Sequence, residues 1–403
     1  MVSPASGSSM SFTRLTEGGG FEGTPLLPIR IKNRFSSLCS MHALMNPAIL
    51  FIAIICATGC GTSRCEVENL GFFVNPDTPD IVGLDGCASI LVNKTVTMWT
   101  FGDTIIGRNT KNKTASSTFE DVAVIERMLS NSLAFTEIPD DDTVESLRFH
   151  FYRERGSPSE FIHTKERINR NIRIWPVDGV QVDRRVYLYY YKVAITGEKA
   201  APFRLMGTGI ATWDIPEKWR VGDPVHFKTE TMLFNAAEPA FGDSVILKDN
   251  QVIITGHRKK GAGVSAFICR VDKKNILSRK DYQILDSEGA WSKKMHAGNG
   301  YFNDVAGELS LSFNEHLKKY VIIYCSMNGS VKTLLFDDFE DLPKTLPTVA
   351  YIPPPLPSIK SRPLMMYYSG KEILQTAGSV YAIFIDPSVY QPILLKIPHC
   401  YFK

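Results

Sequence analysis

Acidic residues stand at the start of several widely spaced strand-like runs. Asp85 precedes "GCASILV", Asp178 precedes "GVQV", Glu238 precedes "PAFGDSV" and Glu308 opens "LSLSF". A fifth, Asp103, closes the run "MWTFGD", whose Trp, Phe and Thr content suits a half-buried pleated surface. An ionised carboxylate buried there without a partner would change its pKa sooner than stay charged. Asp103 is therefore either a turn residue in water or part of a site. Carboxylates that converge on one pocket acquire divergent pKa values, which supplies an acid beside a base. Glycosidic bond cleavage uses such a pair: one carboxyl group protonates the leaving oxygen, and the other activates water or attacks the anomeric carbon. Trp99, Trp175 and Trp291 lie near the same strands and offer faces on which sugar rings stack. Singly, each residue has a structural explanation, since Asp before Gly is a turn signal and Trp a core residue. It is the set that points to a site.

The elements that must position these residues are strands. Five segments share a layout of small and β-branched residues, a polar turn, and a second branched or aromatic run: "GCASILVNKTVTMWTFGD", "GVQVDRRVYLYYYK", "GDSVILKDNQVIITGH", "ELSLSFNEHLKKYVIIY" and "MMYYSGKEILQTAGSVYAIFI". Each reads as a hairpin whose turn carries Asn, Asp, Lys or Gly. Further strand-like pieces, "GTGIATWDI", "SAFICRVDK" and "VKTLLFDDF", fall between them. Multi-stranded units recurring every roughly fifty to ninety residues predict an all-β, five-bladed β-propeller. Only "TFEDVAVIERMLSN" reads as a helix, and the charged text from Thr110 to Arg173 reads as insertions over one face. Pro353-Pro354-Pro355 and Pro357 mark an extended connection before the last unit. In the first hairpin the strand from Ala88 turns near Asn93-Lys94 and returns through Trp99. That antiparallel return sets Asp85 and Asp103 side by side at one end.

Of 403 residues, 44% are hydrophobic and 22% charged, the balance of a globular protein with an ample core. Net charge is only +3 and no long basic run with interleaved aromatics occurs, which argues against nucleic acid as a partner. Residues 1–60 differ. Arg30, Lys32 and Arg34 precede the apolar run "AILFIAIICATGC", too short for the roughly 20 residues of a membrane span but suited to a signal-peptide core. Ala57-Thr58-Gly59-Cys60 resembles a bacterial lipobox, with Ala57 where leucine is usual, and so implies lipidation of Cys60. An ordinary secretory signal or a short buried helix are the other readings of this run. The lipobox reading makes Met10 or Met41 the true start, residues 61–79 a linker, and 80–403 the propeller of an exported, membrane-anchored cell-envelope lipoprotein. The eight cysteines include no CxxC pair, so no metal cage is expected. Those remaining after processing either form one or two disulfides or stay as buried thiols.

"DGCASILVNKTVTMWTFGDTIIG" resembles the opening of the bacterial family known as domain of unknown function 4185, whose first blade carries an Asp, an edge strand and a "W-x-FGDT" strand. "WPVDGVQVDRRVYLYY", "FGDSVILKDNQVIITG", "ELSLSFNEHLKKYVIIY" and the closing "AGSVYAIFIDPSVYQPILLKI", with its Tyr-x-Pro strand, are similar to the later blades. The resemblance runs from about Asp80 to Ile397. It implies a five-bladed propeller like those of glycoside hydrolase family 43 and of family 183, which includes endo-D-arabinanases. By motif, Asp85 and Asp103 match a first-blade catalytic pair. By the looser family 43 analogy, Asp85 is the base, Asp178 the orienting acid, and Glu308 or Glu238 the general acid. The two mappings differ on Asp103. Glu372 in "YYSGKEI" replaces a histidine found in many relatives. Two function classes follow: a glycoside hydrolase acting on a polysaccharide such as an arabinan without a cofactor, or a non-catalytic propeller that binds glycan or protein.

Overall fold

A computed structural model describes residues 65–402 apart from 75–79, 94, 111–122, 138–143, 145–146, 164–170, 199–201, 262, 295–299 and 358–364. Cys60 and the apolar run before it lie outside the described residues, as do Met10 and Met41. Cys65–Lys403 forms one compact unit. Helical turns among the described residues are confined to short 3-10 segments such as Arg279–Asp281 and Leu342–Lys344.

Five antiparallel sheets adjoin one another, the fourth and fifth bridged in parallel at Leu309 and Gly370, and each has an inner strand: Cys87–Val92, Ile172–Val182, Ala240–Lys248, Val305–Asn314 and Tyr368–Gln375. Each inner strand lies beside the next, and the fifth returns to the first, so the ring is closed. This is the β-propeller expected from the hairpins. Tight turns between inner and second strands place Asn93, Asp183 and Asp249 at φ of 59°, 54° and 56°. Asn and Asp tolerate this left-handed region better than branched residues do.

The packing explains why these strands are apolar on both faces. Successive side chains along a strand point to opposite faces, and here each face meets a different neighbouring sheet. Ile253 packs toward the fourth sheet with Leu309 and Ile322, whereas Ile254 packs toward the second with Tyr189 and Ile210. Ile323 turns from Ile322 to join Ala382 and Phe384 of the fifth sheet. Trp99 and Phe101 of the first sheet meet Ile383 and Ile385 of the fifth, which completes the circle.

The structure corrects three expectations. The described part of "TFEDVAVIERMLSN" is the strand Ala123–Leu129, paired with Thr104–Asn109, so its branched residues serve a sheet edge instead of a helix. Together with Ile81–Leu84 these form a three-stranded side sheet. The interval from Thr110 to Arg173 is more than insertion, since Ser132–Glu137 and His150–Phe151 supply the third and fourth strands of the first sheet. Residues 61–79 are not all linker: Glu68–Phe72 is the outermost strand of the fifth sheet, paired with Gln391–Pro398. One disulfide, Cys65–Cys400, ties that strand to the chain end, and Cys87, Cys269 and Cys325 are buried thiols.

Candidate active site

Four of the inner strands break register near one end. The irregularities fall between Pro176 and Gly179, Phe241 and Ser244, Val305 and Leu309, and Tyr368 and Lys371. A bulge re-aims the side chains it contains, and those here include Asp178, Asp243, Glu308 and Ser369. Gly242 and Gly307, at φ of 124° and 81°, make the turn immediately before Asp243 and Glu308; a side chain at Gly242 would also meet Tyr189. In the first sheet Asp85 stands just outside the inner strand, ahead of Gly86.

A cavity of about 420 Å³ opens at this end, lined among others by Asp85, Asp103, Trp175, Phe203, His257 and Glu308. Asp85 and Asp103 are joined through the backbone: the Asp85 amide donates to the Asp103 carbonyl (3.0 Å), and the Gly102 amide donates to the Asp85 carbonyl (2.7 Å). The Asp85 carboxylate accepts from the hydroxyls of Tyr368 (2.8 Å) and Tyr390 (2.9 Å). Burial, reinforced by the nearby Glu308 charge, raises its pKa to about 6 despite those two donors. Asp103 accepts the Trp175 indole N–H (2.9 Å). Burial and then the Asp85 charge push it up to about 7. Glu308, held by the Ser369 hydroxyl, is raised by burial and by Asp243, with Lys371 and His257 opposing. Three carboxyl groups at one cavity thus have pKa values displaced toward neutrality, as acid–base chemistry requires.

The other predicted residues lie elsewhere. Asp178 accepts the amides of Gly179 and Val245 (both 2.8 Å) and lines a separate cavity of about 130 Å³ with Lys371, Glu372 and several serines. Burial raises it to about 6, against the charge of Lys371. Glu238 is bound by Arg279 and the Asn235 amide (2.9 Å) and does not line the larger cavity. Trp99 is 1% exposed, with its indole N–H on Thr136 (2.8 Å), and offers no face to a sugar. Trp291 is on the outermost strand of the third sheet beneath the Arg270 guanidinium (4.2 Å). Of the three tryptophans, Trp175 reaches the cavity, its ring edge-on to the half-exposed Phe203 at 5.3 Å.

Residues missed in the sequence complete the site. Tyr390 belongs to the closing Tyr-x-Pro motif and Tyr368 to "YYSGKEI", and both reach Asp85 from the far end of the chain. Asp243 and His257 stand in the quoted third hairpin, where the acidic residue at the head of the run, Glu238, drew attention instead. Among the described residues no group of three or more His, Cys, Asp and Glu side chains is arranged to hold a metal.

This chain belongs to the family designated domain of unknown function DUF4185, whose model matches residues 77–396. A protein from Bacteroides ovatus, provisionally described as a hydrolase, shares the fold with a TM-score of 0.53 at 13% identity, over 82% of this chain and 86% of that one. The GH43_1 enzyme of Xanthomonas citri aligns at 0.44 and 11% identity, over 82% and 90% of the two chains. A family 117 glycoside hydrolase of Zobellia galactanivorans aligns at 0.44 and 10%, over the same shares. No curated protein sequence matches this chain.

Proposed function

We propose that this protein is a glycoside hydrolase that cleaves a polysaccharide, an arabinan in the first instance, with Asp85 and Asp103 as its acid–base pair. The observation that carries the reading is the placement of two buried carboxyl groups, joined through their backbones, at the wall of a cavity that also offers an aromatic face. Two tyrosine hydroxyls favour the charged form of Asp85, so it is the base. Asp103 has the higher pKa and retains its proton further toward neutrality, so it is the acid. As the bond from the anomeric carbon to the leaving oxygen breaks, that oxygen takes the Asp103 proton. Water attacks the anomeric carbon and gives its proton to Asp85. Trp175 holds Asp103 through its N–H and, with Phe203, supplies the apolar wall for the sugar ring. Glu308 adds to the negative field that keeps a proton in the cluster.

The wild type, Asp85→Asn and Asp103→Asn should be assayed on arabinans, xylans and arabinogalactans. Hydrolysis of one polymer by the wild type, lost in both variants, supports the reading. Full activity in both variants, or none in the wild type on any polymer, leads to the non-catalytic glycan- or protein-binding propeller. Export with a lipid tether at Cys60 is part of the same proposal. The Cys65–Cys400 disulfide supports export, because disulfides persist in oxidising compartments.

A further inference from the structure

His257 is held in a way that none of the roles above uses. Its ring lines the cavity, and its Nδ1 lies 2.9 Å from Oδ2 and 3.1 Å from Oδ1 of Asp243, a carboxylate with no exposure at all. The Tyr191 hydroxyl sits between the same carboxylate and the Ala240 carbonyl, fixing Asp243 from its other side. The Tyr191 ring meets the imidazole edge-on at 6.1 Å. A carboxylate on Nδ1 makes that nitrogen the donor and fixes the ring's orientation. Nε2 takes no hydrogen bond from the described residues. A ring anchored at one nitrogen with the other unclaimed beside a cavity is the arrangement by which imidazole meets a substrate.

We propose that His257 is a substrate-contacting residue that presents an Nε2–H to a sugar hydroxyl, with Asp243 as the positioning residue that keeps the ring oriented. This deepens the glycoside hydrolase reading and rests on it for the identity of the ligand. A charged donor binds a hydroxyl oxygen more strongly than a neutral one does. It also sits where a carboxylate could not serve, since a carboxylate only accepts.

The groups facing His257 account for its charge. Burial works against the imidazolium, but Asp243 from the third inner strand and Glu308 from the fourth outweigh it and hold the His257 pKa above the ordinary range. Tyr191 faces it from the second sheet, and its cross-strand partners Ala240 and Ala266 are apolar. The third-sheet neighbour Arg258 is turned away, over the Phe267 ring.

Binding of arabino- and xylo-oligosaccharides should be followed by NMR of the His257 ring and by calorimetry, in an Asp85→Asn background that prevents turnover. The expected result is a ligand-dependent shift of the His257 resonances and a loss of affinity of about tenfold or more in His257→Ala, smaller in His257→Gln, which keeps a neutral N–H. Asp243→Asn should lower the His257 titration and weaken binding on the alkaline side of the profile, with affinity returning as the pH is lowered and the ring recharges. That acid rescue would not follow from a merely structural role. Sugar that binds without moving the His257 resonances, or variants that bind as tightly as their parent, would overturn the inference. If the wild type cleaves no polymer yet a sugar shifts His257, the hydrolase reading fails and this inference stands; if it cleaves a polymer and His257→Ala binds unchanged, the reverse holds.

Discussion

The amide of Asp85 donates to the carbonyl of Asp103 across 3.0 Å, so the two residues are locked together by backbone while their carboxyl groups share one cavity. Their separation is set by the hairpin between them and by the Gly102 amide, which donates to the Asp85 carbonyl at 2.7 Å. Because each charge is felt by the other, the two protons leave in steps that belong to the pair.

Activity should therefore follow a narrow bell. The acid limb reflects the first ionisation of the pair and the basic limb the second, both displaced toward neutrality by burial, which raises Asp85 to about 6 and Asp103 to about 7. Asp85→Asn and Asp103→Asn should each lower kcat by a factor on the order of 10² or more with little change in glycan affinity. Asp103→Asn should also abolish the basic limb. An Asp103→Asn variant that loses stability but keeps its rate would mark Asp103 as a turn residue only.

Trp175→Phe isolates one hydrogen bond. The ring face is kept while the N–H that favours ionised Asp103 is lost. The Asp103 pKa should rise, and the basic limb of the rate profile should move to higher pH by about half a unit to one unit. A loss of affinity with an unmoved profile would show that Trp175 acts on the sugar alone.

Much of the fold was legible because a propeller strand is apolar on both faces and its turns need particular residues. "VILKDNQVIITG" shows both: Ile253 and Ile254 serve different sheets, and Asp249 takes the left-handed turn. The Asp85–Asp103 pairing was legible for the same reason, since one hairpin spans it. Tyr368 and Tyr390 were not, because they reach Asp85 only once the fifth sheet closes on the first. Trp99 misled because an aromatic beside a carboxylate looks the same in sequence whether it faces the core or the cavity. Glu238 misled because nothing before the fold exists shows that Arg279 will claim it. Asp243 was hidden by position: the bulge that turns it toward His257 shows in the sequence only as a glycine.

Glu372 gives a test of stability separate from the proposed chemistry. Its carboxyl group accepts from Ser312 (2.7 Å) and Gln375 (2.5 Å), lines the smaller cavity, and is raised by burial to about 7. A raised carboxyl pKa means that the folded state binds more protons than the unfolded state between roughly pH 4.5 and 7. Glu372 therefore favours the fold at acid pH, and this contribution is lost as pH rises through about 7. Glu372→Gln should be more stable than the wild type at pH 8, by on the order of 2 kcal/mol, and should not be at pH 4.5. Chemical denaturation at the two pH values checks this; equal differences at both would show that Glu372 does not titrate in this range.

The Cys65–Cys400 disulfide should matter out of proportion to its single bond. It joins residues 335 apart in sequence, and it does so where Glu68–Phe72 adds the outermost strand to the fifth sheet. That strand is the chain's first described element, and the sheet it completes is the last. Its pairing thus requires the two ends of the unit to meet, and closing so long a loop is costly for an unlinked chain. Cys65→Ser should lower stability by about 2–5 kcal/mol. Cys400→Ser should do the same, and the double variant should lose no more than either single one, because the two residues form one bond. Hydrogen exchange should localise the effect to 68–72 and 391–398 before the inner strands open. Reducing agent should reproduce it in the wild type and leave both variants unchanged. If either variant matches the wild type in urea denaturation, the strand is held by its sheet pairing alone, and ring closure does not depend on the disulfide.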